Sequence, residues 1–279
     1  MFAVISRSDP ETHPVPLQRA RGEARVSFVT TPRGTMLGQL FQDGAAKIRL
    51  PKTFGPDAEA ILINSAGGLT GGDQLGFAVD VGANASAVVT TQACEKVYRS
   101  LGGPAEMAVR LKVGPGGRLD WLPQETILFD RADLRRRVDV DLAPASRFLA
   151  VEAVIFGRRA MGEAVEEGGL HDRWRIRQAD RLIHADDIRM SGAITALGQR
   201  AAVLAGAGAM ATLLYVGDDA DRHTDAVRLA LGDRGGASAW NGKLVARLVA
   251  DDGLELRRHL IPAIMALRAG RPLPKAWQL

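Results

Sequence analysis

Residues 23–188 consist of short β-prone runs, and no stretch before residue 190 has an apolar stripe of helical period. Gly, Pro, Asp or Asn separate the runs, which recur roughly every 8–12 residues, as in all-β proteins. Because Rossmann and P-loop folds need helices between their strands, the pattern argues against both. The predicted strands are Glu23–Thr30, Thr35–Phe41, Ala45–Leu50, Ala58–Ser65, Gln74–Val81, Ser86–Gln92, Glu106–Val113, Arg118–Leu122, Thr126–Phe129, Arg135–Leu142, Arg147–Phe156, Ala160–Glu166, Arg173–Gln178 and Arg181–Ile188.

The last third has a different pattern. Residues 191–211 are glycine-rich and show no assignable element, and the tail carries one large aromatic, Trp277, which we expect to dock on the body. The predicted elements are a strand at Thr212–Gly217, a helix capped by Asp218-Asp219 and ending near Leu231, a strand at Asn241–Ala250, and a helix after Asp251-Asp252 that contains Pro262. We therefore predict a mainly β fold, a layered, helicoid or solenoid-like stack of short strands with about two helices in the C-terminal third. A flexible lead-in at 1–18 precedes a single domain at 19–279.

Composition narrows the functional class. A net charge of +4 over 279 residues is too weak to indicate nucleic acid, and the Arg135-Arg136-Arg137 and Arg257-Arg258 clusters suggest solvated faces or protein contacts. The single cysteine, Cys94, permits no internal disulfide and indicates a reducing compartment. No secretory signal is visible at the N-terminus, and no run is long enough to span a membrane. We expect a soluble cytoplasmic protein.

The segment GGLTGGD at 67–73 combines two glycine pairs, Gly67-Gly68 and Gly71-Gly72, with the carboxylate of Asp73. Glycine pairs permit positive φ and close backbone approach, so they place a neighbouring carboxylate at a defined position. A Walker loop would carry lysine where Asp73 stands, which excludes phosphate binding here. The simplest interpretation is a tight turn with a solvated Asp73; the alternative is a carboxylate held at a site.

Other carboxylates interrupt or end apolar strands. Glu152 lies inside the apolar run 148–156, so it must face solvent, pair with a cation such as Arg158 or Arg159, or line a polar cavity. Glu163 and Asp186 lie at the ends of predicted strands, where carboxylates are commonly solvated.

The usual catalytic constellations are missing. The chain contains no GxSxG, HExxH or CxxC motif, and its five histidines are scattered through the sequence. We therefore expect neither a tightly bound cofactor nor a permanent metal site. A polar passage lined by carboxylates would still let a cation through without holding it.

Five motifs in succession resemble the urease accessory protein UreD (UreH) family. They are GGLTGGD (67–73), TTQACEKVYRS (90–100), WLPQETILFD (121–130), FGRRAMGE (156–163) and PLPKAW (272–277). The resemblance runs from about residue 19 to the C-terminus, and Cys94 and Glu95 lie in a variable part of the second motif.

The resemblance implies a β-rich helicoid fold and a protein that is not an enzyme. It implies an accessory chaperone that acts with UreF and the GTPase UreG, docks on the urease apoprotein subunits, and provides an internal route for transient Ni²⁺. On this hypothesis Asp73, Glu152, Glu163 and Asp186 line the route, and the C-terminal helices contact UreF. Two alternatives stay open: a docking scaffold without an ion route, and a β-solenoid carbohydrate-active enzyme that uses paired carboxylates.

Overall fold

A computed structural model describes residues 18–52, 55, 57–158 and 162–278, and most of them lie in strands. The predicted lead-in falls, except for residue 18, outside the described residues. The strands are β1 (Arg21–Thr31), β2 (Gly34–Gly44), β3 (Ala46–Arg49), β4 (Ala58–Asn64), β5 (Gln74–Val81), β6 (Ser86–Thr91), β7 (Glu95–Val97), β8 (Ala105–Val113), β9 (Arg118–Leu122), β10 (Thr126–Leu128), β11 (Asp133–Leu142), β12 (Arg147–Phe156), β13 (Glu167–Gln178), β14 (Arg181–Ala193), β15 (Ala209–Val216), β16 (Gly235–Trp240) and β17 (Lys243–Ala250). The α-helices are α1 (Ile194–Gly198), α2 (Thr224–Leu231) and α3 (Gly253–Leu267).

Two sheets face each other. Sheet A has the order β14-β13-β11-β8-β5-β1-β2, and sheet B has the order β16-β17-β15-β12-β9-β6-β4-β3, with β10 and β7 added beside β12. From β4 to β13 the chain passes repeatedly between the sheets, so neighbouring strands in the middle of each sheet run parallel. This repeated crossing produces the predicted layered, solenoid-like stack.

Helices cover the far side of sheet B and make a third layer. Strands β9 and β12 are buried along almost their whole length, because one face meets sheet A and the other meets the helices. Buried Leu256, Leu260 and Ile264 of α3 pack in the same apolar cluster as Leu149 and Leu213 of sheet B. No helix among the described residues is long and apolar enough to cross a bilayer.

Several element predictions needed correction. Ala160–Glu166 was predicted as a strand, but the described part of this segment, residues 162–166, is a loop. The chain turns here because Gly157 and Gly162 adopt positive φ. Asp219 precedes a short 3-10 helix, Ala220–His223, but its side chain makes no capping hydrogen bond; its carboxylate accepts a hydrogen bond from the Tyr215 hydroxyl at 2.6 Å. Asp252 does cap α3, accepting from the Glu255 amide at 2.8 Å, and Pro262 lies within one continuous helix.

A buried ionic cluster fastens the end of α3 to sheet B. Arg268, which is 1% exposed, pairs with Asp120 of β9 and lies 3.4 Å from Asp57. Its Nη2 also donates to the Pro272 carbonyl at 2.8 Å. The tail continues to Trp277, which is buried as predicted and donates to the Leu122 carbonyl at 2.9 Å.

Replacing Arg268 with methionine removes the only guanidinium that contacts both Asp57 and Asp120 among the described residues. Because two carboxylates then lose a buried partner, we expect a loss of about 3–5 kcal/mol in the free energy of unfolding, measured by urea denaturation. The control is Arg258→Met on the exposed side of α3, expected to change stability by no more than about 0.5 kcal/mol. Equal losses in the two variants would contradict the assignment.

Candidate functional site

Asp73 lies in the predicted turn, where backbone amides occupy its carboxylate. The two oxygens accept from the Ala20 and Thr70 amides, each at 2.8 Å, and the side chain is buried. The turn depends on glycine: Gly68 has a φ of +153°, and a Cβ there would lie 2.4 Å from the Tyr98 ring. The carboxylate therefore joins the start of β1 to the turn, and it is not solvated.

Beside this turn is a cavity of about 230 Å³, which we call the central cavity. Gly67 and Gly68 contribute to its wall, so the glycine motif borders the cavity although Asp73 does not line it. Its polar and ionisable lining includes Asn64, Cys94, Glu95, Gln124, Arg136 and Glu152. It is bordered by three of the motifs singled out from the sequence.

An ionic cluster of Arg136, Glu152 and Asp172 joins the two sheets at the central cavity. Arg136 projects inward from β11 of sheet A and pairs with Glu152 of β12 in sheet B at 2.5 Å. It also pairs with Asp172, its register partner on β13, at 2.5 and 3.1 Å. Trp121 donates its indole N–H to the other oxygen of Glu152 at 2.9 Å. All three charged residues are 5% exposed or less.

A second, much smaller cavity lies beyond Glu152. This inner cavity, of about 10 Å³, has room for roughly one water molecule and is lined by Glu152, Asp172, Asp186 and Thr212, among others. Glu152 is the residue that lines both cavities. Both carboxylate oxygens of Asp186 accept from Arg247 Nη2, at 2.5 and 2.6 Å.

The structure therefore brings together two of the four predicted site residues. Glu152 and Asp186 line one cavity, whereas Asp73 lies in its turn and Glu163 pairs with Arg158 at 2.7 Å in the loop after β12. The partner of Glu152 is Arg136; of the two predicted partners, Arg158 pairs with Glu163 instead, and Arg159 lies outside the described residues.

Sequence reasoning missed Arg136 and Asp172. Arg136 belongs to the Arg135-Arg136-Arg137 cluster, which suggested a solvated face or a protein contact. Alternation along β11 turns the middle arginine inward, between Leu134 and Val138, while its two neighbours face solvent. The period of two along the strand is the sequence signal that predicts an inward-facing Arg136.

Burial shifts the pKa values of the carboxyl groups at the cavity. It raises the pKa of Glu152 to about 7 despite the adjacent Arg136, and the charge of Asp172 adds to the rise. Burial likewise raises the pKa of Glu95 to about 7, against the hydrogen bond from the Asn64 amide. Glu95 therefore changes charge near neutral pH, whereas for Glu152 burial opposes and Arg136 favours the charged form.

A second cluster holds one wall of the central cavity to α3. Arg257 donates to both oxygens of Glu125, at 2.6 and 2.9 Å, and also to the Gln124 side-chain oxygen. Cys94 donates to Glu125 at 3.3 Å, and burial followed by the charge of Glu125 raises the pKa of its thiol to about 11. Cys94 is therefore a neutral thiol at physiological pH, unsuited to nucleophilic attack.

We expect Glu95→Gln to flatten the pH dependence of stability. Folded Glu95 keeps its proton up to about pH 7 while the unfolded chain loses it near pH 4.5, so stability falls as pH rises through this window. Between pH 5 and pH 8 the wild type should lose on the order of 2 kcal/mol more than the variant in urea unfolding. Exposed Glu106→Gln is the control; a Glu95→Gln slope equal to its slope would contradict the assignment.

Comparison with known protein sequences finds one family over nearly the whole chain. A sequence model of the UreD urease accessory protein family matches residues 20–278. Urease accessory protein UreD of Rhizobium leguminosarum bv. viciae is 56% identical over 263 residues, covering 94% of this chain and 96% of that protein. Those of Agrobacterium fabrum and Mesorhizobium japonicum are 53% and 50% identical, covering 95% and 96% of this chain and 94% and 98% of theirs. The chain belongs to the urease accessory protein UreD family.

Proposed function

We propose that this chain acts in urease maturation together with UreF and the GTPase UreG, and that its two cavities give Ni²⁺ a route towards the urease apoprotein. The maturation role follows from membership of the UreD family. One observation supports the route: Glu152 lies between the central and inner cavities and lines both. In this proposal the chain is an accessory protein of the cytoplasm, and GTP hydrolysis belongs to UreG.

The chemistry of the lining suits transit of a cation. Glu95 and Glu152 face the central cavity, and Asp172 and Asp186 face the inner one. Carboxylate oxygens accept divalent ions, whereas lasting nickel sites in proteins favour imidazole or thiolate ligands. Within the described part of the chain, no three His, Cys, Asp or Glu side chains are placed to hold a metal ion together. The proposal is therefore a transient passage of Ni²⁺, which is cargo and not a resident cofactor.

We expect Glu152→Gln to lower the nickel content and activity of co-expressed urease by roughly 10-fold, because the carboxylate shared by both cavities loses its charge. The amide has the same shape, so the variant should still copurify with urease and UreF in normal yield. Glu106→Gln, on the exposed outer face of sheet A, is the matched control and should load urease normally.

Normal loading by Glu152→Gln in a complex that assembles normally would overturn the route. The chain would then be a docking scaffold that holds UreF on urease. The carbohydrate-active alternative has lost its support, since the relatives are accessory proteins.

The proposed contact with UreF lies on the C-terminal helices. Their outer sides carry exposed apolar residues, Leu229 of α2 and Leu254 and Met265 of α3, which are 85%, 63% and 55% exposed. Contiguous exposed apolar patches are typical of protein contact surfaces, and in this proposal the three side chains contribute to one. Deleting the whole segment 251–279 would also remove buried Arg268 and Trp277, so point variants are the better test.

We expect Leu254→Arg combined with Met265→Arg to reduce copurification of UreF by at least about 10-fold, because each change places a charge in an apolar contact. The thermal unfolding midpoint should stay near that of wild type, since both side chains are exposed. Leu101→Arg, at an exposed loop residue of the same type, is the control. Unchanged UreF recovery would place the contact elsewhere.

A further inference from the structure

The carboxylates of the proposed route already have a cation of the protein's own. Both oxygens of Asp172 face the Arg136 guanidinium, through Nε at 3.1 Å and Nη2 at 2.5 Å. One oxygen of Glu152 pairs with Arg136 Nη1 at 2.5 Å, and the other accepts from the Trp121 indole. Three of the four oxygens accept a hydrogen bond, and the fourth, Oε2 of Glu152, is in ion-pair contact with Arg136 without a hydrogen bond. An arriving metal ion therefore meets the Arg136 guanidinium at both carboxylates.

Arg136 cannot leave this position by losing its proton. Burial by itself lowers the pKa of a guanidinium, but Asp172 and Glu152 raise the pKa of Arg136 above its ordinary value. Nη1 of Arg136 also donates to the Thr126 hydroxyl at 3.0 Å, which further fixes the position of the guanidinium. A second cation at the same carboxylates must therefore either displace a permanently charged guanidinium or stay beside it and be repelled.

The position of Arg136 makes this competition relevant to passage. It lines the central cavity, and both of its carboxylate partners line the inner cavity. The guanidinium thus lies where the two cavities meet at Glu152. Arg247 has the corresponding relation to Asp186 on the far side of the inner cavity.

We propose that Arg136 is a resident counter-cation that competes with Ni²⁺ for Glu152 and Asp172, so that the route passes the ion without holding it. This inference rests on the proposed function and adds a residue, Arg136, that sets the affinity of the route for Ni²⁺. Two ionised carboxylates facing each other without Arg136 carry a charge of −2, which a divalent ion with a preference for oxygen ligands matches.

The test is direct binding of NiCl₂ to the tag-free, full-length chain, measured by isothermal titration calorimetry at pH 7.5. We expect Arg136→Gln to bind Ni²⁺ at least about 10-fold more tightly than the control Arg137→Gln. Arg137 is the next residue of β11, faces outward and pairs with Asp139 at 2.9 Å, so both variants lose one positive charge. The double variant Arg136→Gln/Glu152→Gln should lose the gain.

Affinities of Arg136→Gln and Arg137→Gln within twofold of each other would overturn the inference, as would a gain that persists in the double variant. If Arg136→Gln does not fold, Arg136→Lys against Arg137→Lys decides. Lysine keeps the charge but cannot make the bidentate pair with Asp172, so a gain of at least about threefold is expected and equality overturns the inference.

The outcome is separable from that of the proposed route. Normal urease loading by Glu152→Gln would remove the route, whatever Arg136→Gln binds. Impaired loading by Glu152→Gln together with unchanged Ni²⁺ binding by Arg136→Gln would keep the route and remove the role of Arg136.

Discussion

The two sheets are joined in their interior by one guanidinium between two carboxylates, Arg136 with Glu152 and Asp172. Three charges buried this deeply are tolerated only when each has a partner in good geometry, because the cost of removing them from water exceeds that of most packing defects. The requirement restricts the register of β11 against β13 and the position of both against β12. The central and inner cavities lie on either side of this cluster.

The C-terminal third depends on the same principle at another place. Arg268, at the C-terminal end of α3, pairs with Asp57 and Asp120, and Arg257, earlier in the same helix, pairs with Glu125. The first pairing fastens the helix layer to sheet B, whereas the second holds a wall of the central cavity. Helix α3, which is far in sequence from the residues that line the central cavity, therefore supports the wall of that cavity.

An ion route and an ion-binding site differ in whether the carboxylates are already paired with a cation of the protein. In this protein Glu152 and Asp172, at the junction of the two cavities, share one arginine as their partner, and Asp186 pairs with another. In our proposal such a lining attracts cations through its oxygens, and its guanidinium groups prevent their permanent capture. The proposed transit of Ni²⁺ and the competing role of Arg136 both follow from this arrangement.

Local patterns in the sequence determined most of the strands, the cap of α3 by Asp252, the glycine turn at 67–73 and the docking of Trp277, because each depends on neighbours in the chain or on simple apolarity. They did not predict the short strands β7 and β16. Motif order was sufficient for the family. Only the tertiary structure decided which carboxylates meet. Asp73 accepts hydrogen bonds from backbone amides, and Glu163 pairs with Arg158. Glu152 and Asp186 line one cavity beside Arg136, which the sequence had grouped with its exposed neighbours Arg135 and Arg137. The physical reason is that a buried charge is stable only beside a partner of opposite charge. Here the partners lie on other strands, which come close only when the two sheets pack.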